Sequence, residues 1–125
     1  MNVALSELPK FTCLENQARA TEDHLTGGIV IGPTMEYLDR SYRDAREYGW
    51  SKQPLVEMLI PSLVDDTLAP SGQHVASLFC QQFDPDVDWD QHRDTAAEQI
   101  LDQVEKYAPG FKASIAGRQG LSPLD

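Results

Sequence analysis

The chain has 125 residues, 41% of them hydrophobic and 8% aromatic, and a formal net charge of −10 from 20 acidic and 10 basic side chains. That length holds one hydrophobic core without room for a second, and the apolar share excludes a disordered chain. The acidic excess, with no basic stripe set against it, argues against nucleic acid and anionic membrane surfaces as partners, and no apolar run reaches the roughly 18 to 20 residues of a bilayer span.

The first element is extended: from Asn2 to Leu8, apolar Val3 and Leu5 alternate with polar neighbours until Pro9. Lys10 to Thr26 is polar and irregular and reads as a surface loop. Gly28-Ile29-Val30-Ile31-Gly32 is a short second strand. Pro33 breaks it, and Thr34 can cap a helix running to about Tyr48, with Met35, Leu38, Tyr42 and Ala45 at helical spacing before Gly49. A hairpin follows. Leu55 to Ile60 and His74 to Phe83 are its strands, joined by a Pro, Ser, Asp and Gly-rich connection from Pro61 to Gly72.

Asp88 caps a second helix near Asp90 to Tyr107 that buries Ala97, Ile100, Leu101, Val104 and Ala108, and Pro109-Gly110 ends it. A last extended stretch spans Ile115 to Leu121. Ser122-Pro123-Leu124-Asp125 then has the form of a helix start, so the chain is expected to begin and end inside elements, as a segment of a larger protein would. These elements predict one domain of α+β class: a mainly antiparallel sheet of four or five strands with both helices on one face.

No catalytic constellation emerges from the residues. Ile29-Val30-Ile31-Gly32 precedes a helix as a dinucleotide turn does, but Pro33, Thr34 and Met35 stand where further glycines are needed for the backbone to approach a pyrophosphate. Asp84, Asp86, Asp88 and Asp90 alternate as in a calcium loop. Trp89 and Thr95 replace the glycine and the bidentate glutamate such a loop requires, so the aspartates are read as helix-start residues. His24, His74 and His92 lack metal-ligand spacing and read as surface or edge residues. Cys13 and Cys80 read as buried reduced thiols, which favours a cytoplasmic compartment.

Two longer blocks carry a resemblance. Ile60-Pro61-Ser62, then Asp65-Asp66-Thr67-Leu68-Ala69-Pro70-Ser71-Gly72-Gln73-His74-Val75-Ala76-Ser77-Leu78-Phe79, resembles the "IPS…D-x-T-L-A-P-x-G-x-H-V-x-S-L-F" segment of phytoene-dehydrogenase-like flavoproteins. Tyr107-Ala108-Pro109-Gly110-Phe111, with Ser114-Ile115 and Leu121-Ser122-Pro123-Leu124-Asp125, is similar to the "YAPGF…S-I-x-G-R…L-x-P-x-D-L-E" passage of that family, and Val3 to Phe11 fits the strand that opens the region. These proteins are amine-oxidase-like oxidoreductases related to carotenoid desaturases and to the pyridine nucleotide-disulfide oxidoreductase domain proteins.

The resemblance implies most of a substrate domain, which roofs the flavin while an organic substrate gives hydride to it. It also implies FAD in the parent protein, bound by segments outside these 125 residues; no catalytic or cofactor-binding residue carries over. The implied partner is then the FAD-binding domain of the same parent chain. Within the strand His74 to Phe83, Ala76, Leu78 and Cys80 suit packing under helices. The mixed alternate face of Val75, Ser77, Phe79 and Gln81 is the candidate cavity wall, with Ser77, Phe79 and Gln81 as the substrate-facing set. Left without a partner, that face would favour a homodimer. The competing reading is a stand-alone binding or oligomerisation domain that works without flavin.

Overall fold

The computed structural model describes residues 1–15 and 22–125. Five strands, β1 (Asn2–Leu5), β2 (Ile29–Ile31), β3 (Val56–Leu59), β4 (His74–Cys80) and β5 (Ile115–Gln119), form one sheet in the order β2-β3-β4-β1-β5. Every neighbouring pair is antiparallel. The hairpin pairs Val56 with Cys80 and Leu59 with Ser77, as the sequence predicts. Between its strands lie two single-turn 3-10 helices, Pro61–Leu63 and Asp66–Leu68, and the Ser62 hydroxyl accepts the Val75 amide at 3.0 Å to hold the connection against β4.

Strand alternation sorts the sheet into two faces. Val3, Leu5, Ile31, Val56, Met58, Ala76 and Leu78 are buried on the inner one. Against them pack Ile100, Leu101 and Val104 of α2 (Trp89–Tyr107), Ala108 that caps it, and Phe111, which opens the short α3 (Phe111–Ser114). Helix α1 (Met35–Tyr48) lies on the same side, its Tyr37 hydroxyl donating to the Pro54 carbonyl at 2.8 Å and lying 3.4 Å from Gln103 Oε1 of α2. The result is a two-layer α+β domain with its core between sheet and helices. No helix among the described residues is long and apolar enough to cross a membrane.

The caps follow the residues assigned to them. Thr34 Oγ1 accepts from the Tyr37 amide, and Asp88 Oδ1 from the Gln91 amide. Gly49 ends α1 at φ 90°, where a Cβ would also strike Val87, so glycine is required twice over.

Helix α1 turns a different face inward from the one expected. Tyr37, Ser41 and Ala45 are buried, while Met35 is 77% and Tyr42 52% exposed. The small side chains at 41 and 45 permit close approach, and Tyr37 can enter the core because its hydroxyl finds a partner there. Burial pushes the Tyr37 hydroxyl up to about 12. The segment expected to be a surface loop also contributes to the core: Phe11 and Leu25 are buried beside two 3-10 turns, Thr12–Leu14 and Glu22–Thr26. The middle of that segment, 16–21, lies outside the described residues.

The two thiols differ in surroundings. Cys13 is exposed, contrary to expectation, and Cys80 is half-buried; neither is in a disulfide. Removal from water pushes the Cys80 thiol up to about 12, so at pH 8 only about one molecule in ten thousand carries the reactive thiolate there. Titration with a chromogenic disulfide at pH 8 is therefore expected to report Cys13 quickly and Cys80 only after denaturant is added. Equal rates would show Cys80 to be open to water. The sign for stability follows: the folded state holds this proton more tightly, so the contribution is complete below the ordinary value of 9.0 and is lost as pH climbs through about 12.

Candidate functional site: the outward face of the sheet

The outer face carries no helix among the described residues, and its residues fall in register across the strands. One row is Val30, Glu57 and Phe79; the next is Leu59, Ser77, Asn2 and Gln119. Phe79 is 66%, Val30 62% and Leu59 55% exposed. In their midst Gln81 Nε2 donates to Glu57 Oε1 at 2.6 Å. An apolar surface around one tied polar pair thus lies open, a composition typical of ligand-cavity walls.

Ser77, Phe79 and Gln81 all lie on this face, with Ser77 and Gln81 half-buried among their neighbours. Their inward counterparts Ala76 and Leu78 are buried under the helices, as the alternation of β4 demands. The sequence reasoning passed over Glu57 and Leu59. The signal was available, because Val56 and Met58 are the inward pair of β3 and leave Glu57 and Leu59 outward by period two.

Near the end of β4, Trp89 is buried against Trp50 and Phe83, with ring centroids 5.9 and 5.8 Å away, and donates its indole N–H to the Asp84 carbonyl at 3.0 Å. His92 stacks on Trp50 at 5.0 Å. His74, the first residue of β4, is also half-buried and His24 is exposed, where surface or edge positions are expected of all three histidines. Among the described residues no three His, Cys, Asp or Glu side chains gather as a metal site would require. The aspartate run is engaged locally: Asp84 Oδ1 accepts the Asp86 amide, and Asp88 caps α2.

The residues at the β2-to-α1 turn do not fit a flavin pyrophosphate. A Cβ on Gly32 would come within 2.8 Å of Leu55 and 3.2 Å of Leu38, so that glycine admits neighbouring side chains, and the Thr34 hydroxyl already accepts the Tyr37 amide.

No family model matches the chain. It is 38% identical over 133 residues to pyridine nucleotide-disulfide oxidoreductase domain-containing protein 2 of Rattus norvegicus, a match that takes in all of this chain and 23% of the rat protein. The Mus musculus protein of the same description is 36% identical over 132 residues, again across the whole chain and 23% of the relative. The chain is thus homologous to a segment of these proteins and spans about a quarter of their length.

Proposed function

We propose that this chain is the substrate domain of a FAD-dependent oxidoreductase of the phytoene-dehydrogenase-like kind, and that its outward sheet face walls the substrate cavity over the flavin. The carrying observation is that face: Val30, Leu59 and Phe79 stand in water around the Glu57–Gln81 pair, on a sheet whose other side already has a complete core. The names of the relatives support an oxidoreductase, and their greater length leaves room for a flavin-binding remainder. Among the described residues the β2-to-α1 turn does not fit the cofactor, so the chain's contribution is shape and exclusion of water; the apolar groups of the face strengthen polar interactions in whatever cavity they close. Ser77, Phe79 and Gln81 are the proposed substrate-facing residues.

A chimera in which this chain replaces the matched quarter of the rat protein tests the reading. It should retain FAD, and Phe79→Asp should leave flavin content unchanged while raising the quenching of flavin fluorescence by iodide. Identical quenching in both, or no flavin in either chimera or rat protein, would overturn it. The 125-residue chain alone should be colourless and give no saturable heat with FAD.

The same face has a consequence for the isolated chain. Sedimentation of the wild type at high concentration should show self-association that Phe79→Ser weakens, since apolar area lost from the patch no longer leaves water on pairing. Monomers in both cases would mean that the patch is too small or too polar to drive association, and would remove the argument for a homodimer.

A further inference from the structure

Glu57 and Arg118 are the formally charged residues of the strands. Arg118 is committed to the helix side, where it pairs with Glu98 of α2. Glu57 is therefore the charge that the strands set on the outward face, and it stands inside the apolar row: Val30 is opposite it on β2, Phe79 opposite it on β4, and Leu59 two residues along β3. A half-buried carboxylate among apolar side chains that are themselves more than half exposed is costly to cover unless whatever covers it brings a partner.

Its existing partner leaves the pair open on one side. A carboxylate only accepts hydrogen bonds, so the Gln81 side chain has to turn its NH2 group to Glu57, and the 2.6 Å bond fixes the amide in that sense. The second oxygen of Glu57 and the carbonyl oxygen of Gln81 remain, and among the described residues neither has a hydrogen bond or an ion pair. Both are acceptors. Phe79 adds an aromatic ring: side chains directly opposite across an antiparallel ladder stand about 4.5 to 5.5 Å apart at Cβ, which brings the ring within reach of a cation held at Glu57.

We infer that the Glu57–Gln81 pair is a head-group site in this wall, and that the ligand it selects is an apolar molecule with one cationic head, an alkylammonium; calling that ligand the substrate rests on the proposed function. An ammonium has three donors and no acceptor, so it gives a hydrogen bond to each free oxygen while neutralising Glu57 and lying against the Phe79 ring. Val30 and Leu59 flank the carboxylate and take the tail. A hydroxyl head satisfies one oxygen and leaves the charge of Glu57 uncompensated beneath the tail. A carboxylate head meets two acceptors and a like charge, and the net charge of −10 adds to its repulsion.

Hexylammonium, hexanol and hexanoate share a tail and differ in the head. Each is titrated into the nitrogen-15-labelled chain, at a protein concentration where it sediments as a monomer, and binding is read from the Gln81 side-chain amide and the Phe79 backbone amide. Hexylammonium should bind about tenfold more tightly than hexanol, with hexanoate weakest. Glu57→Gln, which keeps the shape and removes the charge, should bring hexylammonium down to the affinity of hexanol and leave hexanol unchanged. Phe79→Leu should weaken hexylammonium more than hexanol. No saturable shift with hexylammonium, or equal affinity for hexylammonium and hexanol, would overturn the site. So would an unaltered preference in Glu57→Gln, which would assign it to the net charge of the chain. These titrations contain no flavin: a wall without head preference fails here and leaves the iodide result standing, whereas unaltered iodide quenching beside an intact ammonium preference strikes only the cavity over the flavin.

Discussion

Phe111→Ala should cost about 3 to 5 kcal/mol of folding stability, read as a lower midpoint in equilibrium urea unfolding with little change of slope. Phe111 is 2% exposed and heads the fully buried side chains by volume. It stands at the N-terminus of α3 directly after Gly110, whose φ of 92° turns the chain back under the end of α2. Two amides of that turn, those of Gly110 and Lys112, bond to the Glu105 carboxylate at 2.9 and 2.8 Å. These bonds hold the Glu105 carboxyl below its ordinary range and fix the backbone from which the ring projects. Because that backbone is tied from outside, the surroundings cannot collapse into the space a missing ring leaves, and the cost should lie in the upper part of the range. A loss under about 1 kcal/mol would show that α3 re-docks freely.

The second large effect is expected at Trp89. Replacement by alanine removes a buried indole from its contacts with Trp50 and Phe83 and leaves the Asp84 carbonyl with only the longer bond from the Val87 amide, for a combined loss of about 3 to 5 kcal/mol. Trp89→Phe separates the two terms, since it keeps an aromatic ring and loses only the N–H; about 1 to 2 kcal/mol is expected. If both replacements cost the same, the hydrogen bond rather than the packing holds the start of α2. Chemical denaturation followed by far-ultraviolet circular dichroism gives both values without relying on tryptophan fluorescence.

Local signals in the sequence located most elements and missed what depends on distant partners. Thr34 and Asp88 were readable as caps because an N-cap needs only a side-chain oxygen at the right offset from its own helix. The outward placement of Phe79 was readable from the period of β4 alone. The inward face of α1 was not readable. A tyrosine and a serine count as polar until Pro54 and Gln103, far along the chain, supply partners for the Tyr37 hydroxyl. Nor was the burial of Phe11 and Leu25, which have no periodic neighbours to mark them.

The place of β1 between β4 and β5 sets the order in which the fold can assemble. Its partners are remote in sequence: Met1 meets Leu78 across 77 residues, and Asn2 meets Gln119 across 117. On a ribosome β1 emerges first, yet its ladder on one side waits for β4 and on the other for β5. The β3–β4 hairpin, by contrast, is local and can form as soon as it is made. Closing the longer loops carries an entropic cost that only the finished sheet repays, so the insertion of β1 between its two neighbours is the step expected to limit refolding. Until then the inward edge of β4 is an open template, and the nascent chain is most exposed to pairing with a second molecule.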